Sequence, residues 1–569
     1  MHPAWLAVAL PVVAALGLNF IQESQDLLPQ EEQRVFVQLL TDPVKAEKLV
    51  LESSVLDPWS LTYVSDYCAG TSKGAPRIRC EWDNVDAGSE PWVDFGLKYG
   101  DYVANGTTMV YFALTSYAED ADSGEIAQVG ATSIMIEWQP GSRALLQADE
   151  SKFGQPRTIT VSALPDTNVE RRRLKQANAW ADFQPTGFYL NPRQSLVAKV
   201  SGVSGDGPQP EILVGTPALV DPESPDQEVA SQLESLGLLG NGNHDVSAEE
   251  GGIVYIRYVY AGDTRPPPVT VTLEGAAAQP FPLFRQGVTT DEEWLAMLRE
   301  TKVPFAEHAG DAVIITGMAV EALKYAERGQ SQQELLDTYK HIIAAQDAIS
   351  GLDVKAHDAR DRPSPLRPMV VQSNKKRYAD ASDYRAAIGT DTIEDIWWRP
   401  TLAQSWKMWH ELGHHRQHTE TWSWRNLTEV TVNIYTLAAR RLFPEASTEH
   451  ATVEEWDAAK AYLAGDAGDK VFEQQPVFTM LVMFEQLRVV FGDKFYHKLH
   501  RRSRAAPDLD DEADKKHFFM TQAAEIAHTN LTPYFTSWGL LPEKRTVDEM
   551  GKQPSAVEDY TAKPVFGGH

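Results

Sequence analysis

The sequence predicts an α+β chain of several domains, in which two β-rich regions precede a mainly helical one. Three observations predict it. Short alternating apolar runs, broken by Gly, Asp and Pro clusters, fill residues 59–164 and recur over 187–273. Helical apolar spacing dominates from Thr290 to about residue 540. At 569 residues, the chain exceeds what one ordinary hydrophobic core holds.

The opening MHPAWLAVALPVVAALG has an apolar run, Trp5 to Leu16, of signal-peptide length, with small residues at Ala15 and Gly17. No Lys or Arg precedes it, only His2. The run is too short to span a bilayer, and no later stretch is long and apolar enough to do so. A secreted protein without a membrane span is the expectation. Residues 23–57 carry helix-like patterning, for instance Val35, Leu39 and Leu40. The only two cysteines, Cys68 and Cys80, flank a Gly/Ser/Lys-rich turn and are expected to form a disulfide in an oxidising compartment. The first β-rich region follows, with runs such as Met109–Phe112 and Thr158–Val161. The charged stretch Val169–Lys175 reads as a connecting helix or linker.

In the second β-rich region, Gly187–Leu190, Ser195–Val200, Ile253–Tyr258 and Val269–Leu273 read as strands. The intervening residues 204–250 are rich in Gly, Pro, Asp and Glu and read as surface loops. Thr290 to Glu293 form a capping box that opens the helical region. Its stripe Leu481, Phe484, Leu487 and Phe491 is core packing. With 80 acidic against 52 basic residues, the net charge of −28 repels phosphate backbones and anionic lipid, so no nucleic-acid partner is expected.

The chemistry concentrates in residues 400–441. Pro400 suits the first turn of a helix, and the run to Arg416 has helical composition. His410 and His414, four residues apart, project from one face about 40° apart around the axis, so both imidazoles can grip one Zn²⁺. Glu411 lies about 100° round from His410, placed to deprotonate an attacking water rather than to ligate. This is the HExxH arrangement. Gln417 and Trp406 share the histidine face, and Gly413 inside a helix points to close approach by another backbone.

A catalytic zinc needs a third protein ligand and an open fourth position. His418 would place three ligands on one continuous helix and crowd the metal. Glu420 sits where a third His follows a Gly turn in one HExxH class, but Gln417 replaces that Gly. Glu429 opens a second helical run, TEVTVNIYTLAARR, able to return antiparallel to the first, and its polar strip includes Asn433. Glu429 is the choice. A secreted glycan- or protein-binding module with a vestigial zinc site is the competing reading, opposed by the presence of both histidines, the base and the distal carboxylate.

These residues resemble the enhancin-like, mucin-degrading zinc metallopeptidases, the sixtieth metallopeptidase family. The resemblance rests on His410-Glu411-Leu412-Gly413-His414, Gln417, Trp422 and Trp424, and Glu429-Val430-Thr431-Val432-Asn433. Pro185–Leu190, Phe491-Gly492, Asn530–Phe535 and Trp538-Gly539 add to it, so it covers roughly residues 180–545. The patterning divides the α+β multidomain chain into a leader over 1–17, a β-rich N-terminal domain of unknown role over 18–175 and a tail over 546–569, and between them the resemblance implies a β-sandwich over 176–285 and a mainly helical gluzincin-type zinc peptidase domain over 286–545. The resemblance further implies one Zn²⁺ held by His410, His414 and Glu429, Glu411 as general base, and a protein or glycoprotein substrate with its glycans as partner. Tyr384, His528 and Tyr534 are candidate oxyanion donors, and Trp422 and Trp424 are candidates to stack on a sugar ring.

Overall fold

The computed structural model of the chain is described for the strands between residues 17 and 140, for Cys68 and Phe153, and for residues 157–566 apart from 206, 223, 225–232 and 263. The apolar run Trp5 to Leu16 lies outside the described residues. The chain divides into two compact units, Met1–Asp149 and Glu150–His569. The charged stretch near 170 is therefore not the linker between them. It is a helix, Thr167–Leu174, started by the Asp166 side chain accepting from the backbone N–H groups of Asn168 and Val169.

In the first unit the described residues form two sheets, one ordered Gly17–Gln22, Glu32–Leu40, Trp92–Tyr99, Trp59–Val64, the other Asp26–Leu27, Ile126–Pro140, Thr108–Glu119, Ala46–Ser54, Arg77–Val85. The helix expected within 23–57 is absent there: Glu32–Leu40 and Ala46–Ser54 are strands. Val35, Val37 and Leu39 recur at period two, and two of the three are β-branched, which suits a pleated strand better than a helix. Cys68 and Cys80 form a disulfide with both residues buried.

The second unit begins with a sandwich. One sheet runs Thr158–Val161, Val269–Glu274, Ser195–Ser201, Gly242–Ser247; the facing one runs Glu234–Leu238, Glu211–Gly215, Gly252–Arg257, Phe183–Leu190, Ala278–Pro280. Three of these strands fall inside 204–250, where only loops were expected. Ile212, Leu213 and Val214 supply a short apolar run there that the surrounding Pro and Gly residues mask.

The region after 286 is mainly helical as expected, but it also contains a sheet that was not anticipated, six-stranded and ordered Leu283–Arg285, Phe305–Ala309, Ile314–Met318, Met369–Gln372, Arg385–Ile388, Ala379–Ser382. Its central strands are four or five residues long and buried throughout, with parallel pairings at the centre. Strands covered on both faces lose the alternation that betrays a strand in sequence. Along Gly252–Arg257, Val254 and Ile256 enter the sandwich core, whereas Ile253 and Tyr255 face the six-stranded sheet. That sheet answers with Ile314, Met369, Val371 and Ala387, and turns Ile315, Val370, Ala386 and Ile388 toward the helices.

The helices pack around Thr428–Arg440, which lies against Gln332–Ile349, Trp406–His414 and Val477–Phe491. The expected tail after 546 belongs to this lobe. Met550, Tyr560 and Val565 are buried in it, and the Gln486 side chain donates to the carbonyls of Thr561 and Lys563. No helix among the described residues is long and apolar enough to cross a membrane.

Between the sandwich and the six-stranded sheet sits Glu307, fully buried, accepting from the Tyr255 hydroxyl at 2.6 Å and the Thr316 hydroxyl at 2.7 Å. Burial pushes its carboxyl up from the usual 4.5 to about 7. Folding therefore favours the proton, so this group's stability is fullest below pH 4.5 and falls as pH rises through 7. Glu307→Gln should raise the thermal midpoint at pH 8, by the equivalent of up to about 3 kcal/mol, and leave it nearly unchanged at pH 4.5. Thermal melts of both proteins across that range check it.

Candidate metal centre

Pro400 does not begin the histidine helix. It sits in a separate turn, Arg399–Leu402, after which Ser405 starts the helix Trp406–His414 by accepting the Met408 N–H at 3.0 Å. Met408, Trp409 and Leu412 face the core that backs the six-stranded sheet. His410, Glu411 and His414 are carried on the remaining surface. The helix stops at His414, and a turn carries the chain through Arg416 and Gln417.

Gly413 accounts for what comes next. A Cβ there would lie 3.0 Å from Val432 Cγ2 and 3.1 Å from the Val432 carbonyl oxygen. The two helices thus cross backbone against backbone, and Glu429, in the first turn of Thr428–Arg440, is brought over the histidines. His410 Nε2 lies 3.1 Å from Glu429 Oε2, His414 Nε2 3.7 Å from the same oxygen, and the two Nε2 atoms are 3.1 Å apart. These three residues are the one group of at least three His, Cys, Asp or Glu found able to hold a metal among the described residues.

The remaining ring nitrogens explain why the atoms converge. His410 Nδ1 donates to Asn433 Oδ1 at 3.0 Å, and His414 Nδ1 donates to Gln417 Oε1 at 2.7 Å. A neutral imidazole that donates from Nδ1 carries a bare lone pair on Nε2. Two bare lone pairs and a carboxylate oxygen then point at one another, an arrangement that repels unless a cation joins them. The donor set fits a metal ion. Burial keeps His414 neutral, whereas at His410 burial is outweighed by Glu429 and Glu411, which raise its pKa and draw a proton onto the ring when no ion competes.

Glu411 lies beside this point, mostly buried, and burial pushes its carboxyl up to about 7 against the opposing pull of His410 and Lys407, with Glu429 and Asp380 adding to the rise. A carboxyl with that value both takes and returns a proton near neutral pH. The Gln417 amide reaches further, donating to the Thr428 carbonyl at 2.6 Å and to Thr431 Oγ1 at 2.8 Å. Asn433 Nδ2 donates to the Glu429 carbonyl at 2.8 Å. Each histidine is thus tied through an amide to the helix that carries the acid.

Other expected residues stand elsewhere. Trp422 and Trp424 are buried in the helical core, the first against His500 and Phe519, the second donating to Glu473 Oε1 at 2.6 Å, so neither presents a face to a sugar. The Tyr534 hydroxyl is committed to the Met483 carbonyl at 2.6 Å. His528 ends the helix Glu512–Ala527 in a left-handed conformation, φ 50°, and does not join the group. Tyr384 packs edge-on against Phe183, and burial raises its hydroxyl to about 12. Of the rival ligands, His418 is buried with Nδ1 bonded to Ser503 Oγ at 2.6 Å, and neither it nor Glu420 joins the group. Two contributors carried no local signal of their role: Asp380, thirty positions before His410, and the backbone carbonyl of Thr428.

Comparison with known proteins agrees. Residues 277–539 match peptidase M60, enhancin and enhancin-like, and residues 166–272 match the N-terminal domain of M60-like peptidases. Together the two matches take in more than half of the chain. The chain belongs to the M60 enhancin-like peptidase family. A functionally unknown conserved protein from Bacillus anthracis str. Ames shares the architecture at TM-score 0.62 and 28% identity, over 72% of this chain and 81% of that one. The M60 catalytic domain of Clostridium perfringens ZmpC, solved in complex with the sialyl T antigen, shares the fold at TM-score 0.58 and 16% identity, over 71% and 81% of the two chains. The TRPM8 channel-associated factor homolog of Xenopus laevis is 24% identical over 399 residues, 67% of this chain but 41% of its own length. The M60 chain described here thus spans less than half of that relative.

In this M60 site the amide behind His414 has a measurable role. Gln417→Ala should weaken metal binding by about 10- to 100-fold. Titration against a chelator of known affinity checks it.

Proposed function

We propose that this M60 chain is a secreted zinc-dependent endopeptidase acting on O-glycosylated, mucin-like proteins, with Glu411 as general base. The observation that carries the reading is the convergence of His410 Nε2, His414 Nε2 and a Glu429 oxygen beside the raised Glu411 carboxyl. Bound zinc would supply Lewis acidity to water and to the peptide carbonyl. Glu411 takes the proton of the attacking water and returns it to the leaving amine. Asn433 and Gln417 accept from the Nδ1 atoms and so orient both Nε2 atoms toward a single point.

The choice of glycoprotein draws on the ZmpC catalytic domain, whose structure holds the sialyl T antigen. Secretion draws on the apolar run Trp5 to Leu16 and on the Cys68–Cys80 disulfide. Incubation with an O-glycosylated substrate and its deglycosylated form, with and without a chelator, tests the reading. Cleavage is expected only of the glycosylated form, only without chelator. Cleavage that survives chelation would end the zinc reading, and equal cleavage of both forms would end the glycan requirement.

Glu411→Gln should lower turnover by about 10²- to 10⁴-fold with zinc content near one per chain, as removal of a general base requires. Glu429→Ala should instead strip the zinc, which metal analysis of the purified variant would register.

A further inference from the structure

The Asn433 amide is a choice as well as a link. Its oxygen and nitrogen ends are nearly the same size, and only its partners decide which end meets His410. Were it turned over, its NH₂ would face the ring, Nδ1 would become the acceptor, and the proton would move to Nε2, where the metal should bind. The orientation of one side-chain amide therefore sets whether His410 is a ligand.

The structure fixes that orientation from outside the ligand set. Trp406 Nε1, which can only donate, gives its hydrogen to Asn433 Oδ1 at 3.1 Å, beside the 3.0 Å bond from His410 Nδ1. Both side chains are buried, so water offers no substitute partner. The second amide needs no such lock. Gln417 is fixed from its nitrogen end by two acceptors, the Thr428 carbonyl and Thr431 Oγ1, whose own hydroxyl is drawn toward the Leu427 carbonyl at 3.0 Å. Asn433 has one acceptor on that side, the Glu429 carbonyl, which its own helix already uses. The indole itself is clamped by His450 and Phe478, each with its ring centre 5.6 Å away, edge-on to it.

We propose that Trp406 is a positioning residue of the metal centre: its indole N–H holds the Asn433 amide with the oxygen toward His410, and so leaves His410 Nε2 bare for the ion. The proposal rests on the metal-centre reading above. It concerns no contact with substrate, so its effect should appear in metal affinity before it appears in turnover.

The experiment is a double-mutant cycle read as zinc affinity by competition with a chromogenic chelator, on the full chain. Trp406→Phe keeps an aromatic ring and removes the N–H, and should weaken zinc binding by about tenfold or more. Asn433→Asp offers an oxygen at either end, so orientation no longer matters, and in that background Trp406→Phe should change affinity by less than about twofold. A benzothienyl side chain at position 406, which replaces the N–H by sulfur without changing the ring's outline, should reproduce the loss even if the phenylalanine variant folds poorly. Equal zinc affinity in the wild-type and benzothienyl proteins would overturn the proposal, as would an undiminished Trp406→Phe effect in the Asn433→Asp background. A wild-type chain that binds no zinc would overturn the metal-centre reading itself, a result separate from either.

Discussion

The site depends on one steric event, the seating of Gly413 on Val432. Two α-helices ordinarily pack 8–10 Å apart, held off by side chains on both. With hydrogen in place of a Cβ at residue 413, the histidine helix approaches the backbone of its neighbour, and a carboxylate side chain then spans the remaining gap to both rings. Helix propensity alone argues against glycine at that position. The crossing explains why it is tolerated.

The contacts that hold the end of the histidine helix come from far away in sequence. The Ala177 N–H donates to the Gln417 carbonyl at 2.8 Å, His415 Nδ1 donates to the Ala179 carbonyl at 3.2 Å, and the Arg416 guanidinium lies 4.9 Å from the Trp180 ring centre. Arg416 also donates to Asp347 at 3.0 Å and to the Leu412 carbonyl at 2.9 Å. The strap 177–180, between the sandwich strands Thr158–Val161 and Phe183–Leu190, is therefore structural support for the candidate metal ligands. The two regions matched by separate family models lie in a single compact unit, joined by this strap and by the apolar core between the sandwich and the six-stranded sheet.

The candidate metal group was legible in sequence because helices convert spacing into direction: four residues bring His410 and His414 together, and the polar strip after Thr428 marks a second helix able to meet the first. Asn433 and Gln417 followed from the same periodicity. Trp422 and Trp424 were harder, because an indole in a loop has the same letter whether it lies in a core or in a cleft, and here the Glu473 partner that buries Trp424 is 49 positions away. The six-stranded sheet escaped for a related reason. Ile314–Met318 and Met369–Gln372 are covered on both faces, so their sequences show neither alternation nor a helical stripe. Val35, Phe36 and Val37 were open to correct reading, since two β-branched residues flanking an aromatic one should have outweighed the coincidence of helical spacing at Leu39.

The segment beyond residue 546 closes the helical lobe that carries Glu429. Gln486 and the rings of Phe491 and Tyr534 find partners in Thr561, Lys563 and Tyr560. A chain cut short of Tyr560 would leave that part of the lobe's apolar surface without its cover, although every candidate ligand lies more than a hundred residues upstream.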